Sequence, residues 1–173
     1  MAIVINGSGT VTGLAVGGLP DGTVDKDTLA VGVQSKVLQV VNATYSTGVT
    51  NTTTTYADTG LTATITPTSA TSKILVVVAQ NGGYKTVGNA SNALGVQLLR
   101  GATVINTFGL YAGLTSTTLA NFLATISTTY LDSPATTSAT TYKTQLKNMV
   151  AASGVTVQTN GVTSTITLME IGV

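Results

Sequence analysis

The chain has 173 residues with a net charge of +1, and only 8% of them are charged, against about 25% in an average soluble domain. Its seven basic residues (Lys26, Lys36, Lys73, Lys85, Arg100, Lys143 and Lys147) form no run, so the electrostatic footprint of a nucleic-acid binder is missing. No cysteine is present, which removes disulfides, thiol catalysis and Cys-based metal sites.

The hydrophobic fraction is 43%, yet the longest unbroken apolar run covers only residues 74–79. That is far short of the ~20 residues that span a bilayer, so no membrane insertion is expected. Threonine takes the place of charge, with 36 residues. It is β-branched and suits a pleated, half-buried surface. The start, "MAIVINGSG", lacks a basic n-region, and no cleaved signal is expected there.

Residues 1–36 hold seven glycines and three of the six acidic residues. "GGLPDG" is a turn by composition, and no apolar period is long enough to bury a face. This segment reads as an extended, Gly-rich arm that orders against something else. "GSGTVTG" has the wrong spacing for a dinucleotide loop. Asp21, Asp25 and Asp27 supply oxygens, but an EF-hand glycine and distal Glu are absent. Solvated charges on a turn are the expected reading.

Strands follow from residue 37. "KVLQVVNATYS" is the first. In "TYADTGLTATITP", Leu61, Ala63 and Ile65 point one way while Thr62, Thr64 and Thr66 point the other, a period of 2 with one wet face. Pro67 ends it. "SKILVVVAQN" is apolar on both faces and predicts a central strand followed by a Gly82-Gly83 turn. "NALGVQLLRGATVINTFG" predicts a hairpin turning at Arg100-Gly101. "LANFLATISTTYLD", "ATTYKTQLKN", "GVTVQTNG" and "VTSTITLMEI" complete about nine strands. In "TYKTQLKN", Tyr142, Thr144 and Leu146 face one side and Lys143, Gln145 and Lys147 the other. The expected fold is all-β: an antiparallel, jelly-roll-like β-sandwich over residues 37–173, preceded by the arm.

No catalytic, cofactor-binding or metal-binding residue is expected. Histidine is absent, so the commonest general base and zinc ligand are missing. A glycosidase needs two carboxylates roughly 5–10 Å apart in a cleft. Asp58, in "YADTG", and Asp132, in "YLDSP", both read as turn residues. Glu170, in "ITLMEIGV", is expected to face solvent; turned inward it requires a partner such as Arg100 or Lys73. Among the aromatics, Tyr84 in "NGGYK" and Tyr111 in "FGLYAG" are the candidates for exposed ligand contacts, such as stacking on a sugar.

The arm with "GLPDGTVDKDTLA", followed by "TYADTGLTATITPTSATSKILVVV" and "ALGVQLLRGATVI", resembles tail-fibre and related virion structural proteins of tailed bacteriophages, marine and cyanobacterial phages in particular. The likeness covers most of the chain. It implies a homotrimeric, fibre-like virion component, with residues 1–36 docking to other virion proteins and the β-domain outermost. A capsid decoration protein or head fibre suits the length equally. A receptor-recognition module that binds host surface glycan is a further alternative.

Overall fold

The structure is a computed structural model, and it describes residues 36–85, 93–113, 124–150 and 154–173. Residues 1–35 lie outside them, with the arm, Asp21, Asp25 and Asp27, and so does the "LANFL" start of one expected strand. The described chain is almost entirely strand: β1 (Val37–Tyr45), β2 (Val49–Asn51), β3 (Ala57–Ile65), β4 (Lys73–Lys85), β5 (Leu94–Arg100), β6 (Thr103–Ala112), β7 (Ala124–Asp132), β8 (Thr140–Asn148), β9 (Val155–Val157) and β10 (Ser164–Ile171). A single 3-10 turn, Thr159–Gly161, interrupts them.

All strand pairs are antiparallel, and their order is nested. β1 pairs β10, β3 pairs β8, β4 pairs β7 and β5 pairs β6. The chain is thus one long hairpin with its tip at Gly101, where a φ of 57° needs no Cβ. Rolling that hairpin adds β10 to β4 and β5 to β8. The products are a β1-β10-β4-β7 sheet facing a β3-β8-β5-β6 sheet, which is the strand arrangement of a jelly roll. The short β2 and β9 pair with each other and cap the far end of β4. A three-residue strand such as β2 carries too little pattern to stand out in sequence.

The alternation expected of β3 and β8 is present. Leu61, Ala63, Ile65, Tyr142, Thr144 and Leu146 are buried, while Thr62 and Thr64 are exposed. Leu61, Ala63, Ile65 and Tyr142 meet Ile74, Val76, Val78, Ile166 and Leu168 of the facing sheet in the main core, while Leu146 belongs to a second apolar cluster with Leu94, Val96, Ile126, Val155 and Val157. Each fully buried Leu, Ile or Val contributes about 1.5–3 kcal/mol by leaving water. β3 stops at Ile65, ahead of Pro67.

One expected turn is absent. Gly82 and Gly83 lie within β4, at a register shift between Gln80 and Gly83. Gly82 has a φ of +65°, and a Cβ on it would sit 2.6 Å from the Thr159 backbone nitrogen. The glycines therefore let the strand kink and pass close under Gln158 and Thr159. There β4 exchanges β10 for β9 as a neighbour. "YADTG" is also not a turn: Asp58 lies in β3, paired with Gln145 of β8.

Candidate functional site

The register aligns the inward side chains of the β1-β10-β4-β7 sheet into rows. One end row is Gln39, Glu170, Ile74, Asp132. Then come Val41, Leu168, Val76, Tyr130 and next Ala43, Ile166, Val78, Thr128. The apolar core is thus bounded on this side by a row holding two of the chain's acids.

Glu170 does not face solvent; it is fully buried. Its Oε2 accepts from Gln39 Nε2 at 2.6 Å, and its Oε1 from the backbone N and Oγ1 of Thr68, both at 2.7 Å. Neither Arg100 nor Lys73 partners it. Burial alone would raise its pKa, but hydrogen bonds from Gln39, Thr68 and Ser72 outweigh that and hold it at about 2. Glu170 therefore fastens the loop that crosses from β3 to β4.

Asp132 closes β7 and is buried as well. Arg100 Nη1 donates to both its oxygens at 2.9 Å, and Tyr142 Oη donates to Oδ2 at 2.7 Å. This ties the tips of β5 and β8 to the opposite sheet. The third acid, Asp58, lies on the outer face of the second sheet. Lys143 Nζ reaches its Oδ2 at 2.8 Å, and Gln145 Nε2 its Oδ1 at 2.7 Å. Gln97 Nε2 donates in turn to Gln145 Oε1 at 2.8 Å. Burial pushes the Asp58 pKa up, yet Lys143 and Gln145 bring it below the ordinary value. The hollow of about 130 Å³ beside it is well under the ~300 Å³ where ligand pockets begin. All three acids are committed to separate partners. Among the described residues, no group of three or more metal-ligating side chains occurs.

A neutral polar network lies between the main core and the second apolar cluster of Leu94, Val96, Ile126, Leu146, Val155 and Val157. Thr144 Oγ1 donates to Gln80 Oε1 at 2.8 Å, and Gln80 Nε2 to Ser164 Oγ at 3.0 Å. Thr59 shares a hydroxyl–hydroxyl bond with Thr144.

The two tyrosines chosen from sequence separate here. Tyr111 is 50% exposed on β6, with a φ of 55°. Tyr84 is not in a turn but on β4, half-buried, beside a crevice of about 10 Å³ shared with Leu94 and Ala112. That space is of the order of one water, and no sugar enters it.

An apolar surface row lies on the outside of the β1-β10-β4-β7 sheet. The register sets Val40, Met169, Leu75 and Leu131 in one row across all four strands. Val40 is 56% exposed, and the exposed Leu38 and half-buried Val77 and Ile171 flank the row. Beyond it lie the polar rows Asn42, Thr167, Val77, Thr129 and Thr44, Thr165, Ala79, Ser127. Lys73 is the sole charged side chain in the outward strand rows of this face. The sequence showed β4 to be apolar on both sides; that three other strands extend its outer side into a row depends on long-range register.

These features define an antiparallel jelly-roll sandwich whose interior is divided by a polar network and whose described residues present an apolar row on one outer face. No protein-family model matches the chain, and no curated protein matches it in sequence. Among solved structures, it is similar to the VP2 subviral particle of infectious bursal disease virus, with 12% identity and a TM-score of 0.44. That match covers 83% of this chain and 42% of the VP2 chain. The fold assignment rests on the strand order itself.

Proposed function

We propose that this chain is a non-enzymatic virion structural protein, a homotrimeric fibre or appendage attached to a phage particle through residues 1–36. The observation that carries an assembly role is the outward apolar row of exposed Val40 and Leu131 with half-buried Met169 and Leu75, on a chain with only 8% charged residues. Apolar surface of this continuity marks contact sites more often than bare solvent. The virion setting and the number three come from the sequence resemblance. A non-catalytic role is supported by the three described acids, Asp58, Asp132 and Glu170, each occupied with its own structural partners.

Light scattering coupled to size exclusion tests the assembly: a trimer near three times 17.4 kDa is expected at micromolar concentration. Cryo-electron microscopy of intact particles tests the location. Density at the tail supports a fibre, density on the capsid lattice a decoration protein, and no density on the particle overturns the virion reading. Glycosidase turnover lost on changing Asp58, Asp132 or Glu170 would overturn the non-enzymatic one.

A second reading, a glycan-binding receptor module, is favoured by one observation, the exposed ring of Tyr111. Saturable binding to host cells or a glycan array, lost in Tyr111→Ala, would support it.

A further inference from the structure

The geometry points to the outer face of the β1-β10-β4-β7 sheet as the surface on which a second copy of this chain seats, with the strands of both copies running the same way. This deepens the assembly reading above and rests on it.

The first argument is charge. With Lys73 as the sole charged side chain in its outward strand rows, the face carries little charge with which to repel its own copy or select a partner of opposite sign. The second is the order of rows along the strands. Apolar side chains occupy the end near Leu38 and Ile171, while Thr, Asn and Ser occupy the other. Same-direction packing sets the Val40–Leu131 row on its equivalent and hydroxyl rows on hydroxyl rows. Opposed packing would set the Val40–Leu131 row on Asn42, Thr167 and Thr129, and Leu38 and Ile171 on Thr44, Thr165 and Ser127. The third is area. Four strands at about 4.8 Å spacing and four rows at about 6.7 Å give a face of roughly 500 Å² in projection. That is of the order of the ~800 Å² each partner contributes to a standard interface.

The arrangement makes a specific contact. β1 and β7 are the two edges of this four-strand path. In a two-fold pair about an axis parallel to the strands, the β1 edge of one copy faces the β7 edge of the other. In a three-fold ring about such an axis, the β1 edge of each copy meets the β7 edge of the next. Val40 therefore meets Leu131 of a neighbouring copy in either closed assembly. Within one chain the two lie three strand spacings apart, about 14 Å, beyond the ~7 Å Cα limit for a disulfide.

The absence of native cysteine makes the test direct. The double variant Val40→Cys, Leu131→Cys is oxidised in full-length protein and run on a non-reducing gel. The expected result is a covalently closed species of two or three chains, with much less product from either single variant or from Val104→Cys on the opposite sheet. In parallel, Leu131→Glu should weaken association roughly tenfold or more and leave the melting temperature of the separated chain unchanged. Val104→Glu, also at an exposed site, should leave association intact. Wild-type oligomers that neither cross-link through Val40 and Leu131 nor respond to Leu131→Glu overturn this face and leave the assembly reading standing. A wild-type monomer at micromolar concentration overturns the assembly reading itself.

Discussion

Asp132 and Glu170 stand on one inward row, two strands apart, with fully buried Ile74 between them. Such a pair invites comparison with an acid–base couple, but neither carboxylate opens on a cleft. Each is engaged by its own donors, Arg100 and Tyr142 for one, Gln39 and Thr68 for the other. The row instead fastens one end of the sandwich, and its chemistry should appear in stability.

Glu170→Gln is expected to destabilise the domain by about 2–3 kcal/mol, because an amide cannot accept at both oxygens while Gln39 and Thr68 donate. The pH response is the sharper measure. The Glu170 pKa lies near 2 when folded, below its ordinary 4.5. Its stabilisation is therefore complete above about pH 4.5 and disappears as the pH falls towards 2. Urea denaturation should show wild type losing on the order of 2 kcal/mol across that window, a loss much reduced in the variant. An unchanged acid profile in Glu170→Gln would contradict the carboxylate's place in the core.

At the other extreme of pH, burial and the Asp132 carboxylate raise the Tyr142 phenol above its ordinary 10.0. A group raised in this way stabilises fully below pH 10, and the contribution declines as the pH rises beyond it. Tyr142→Phe removes a donor from buried Asp132 and should cost about 1–2 kcal/mol at neutral pH. Alkaline unfolding curves should then show a weaker loss of stability above pH 10 than in wild type.

In the neutral network, Thr144→Val keeps the shape but deprives Gln80 Oε1 of its donor and Thr59 of one of its three hydrogen bonds. A loss of about 1–3 kcal/mol is expected, measured by chemical denaturation. Thr141→Val, on the outer side of the same strand, should cost less than about 0.5 kcal/mol.

Gly82→Ala should be more damaging than any glycine change at the β5–β6 tip. Its φ of +65° is unfavourable for a side chain, and the new Cβ would press on backbone at Thr159. A cost above about 2 kcal/mol is expected. Gly101→Ala shares a positive φ but meets nothing within 4 Å, so about 1 kcal/mol is expected there. Comparing the two melting temperatures separates crowding from backbone strain.

Local pattern alone places the inward residues of β3 and β8, ends β3 before Pro67, makes β4 central and puts the hairpin tip at Gly101. These are consequences of nearest-neighbour geometry: successive side chains on a strand point to opposite faces, proline lacks a donor, and glycine admits positive φ. Long-range packing turned Glu170 inward, because its acceptors are filled from Gln39 and Thr68, 131 and 102 positions away. It likewise decided that Gly82 and Gly83 kink a strand rather than end one, since the close approach of Thr159 gives that bend its purpose. The open face follows the same division. The sequence "KILVVVA" showed that β4 is apolar outward as well as inward. Joining Leu75 to Val40, Met169 and Leu131 required the register of four strands distant in the chain, which hydrophobic period alone does not encode.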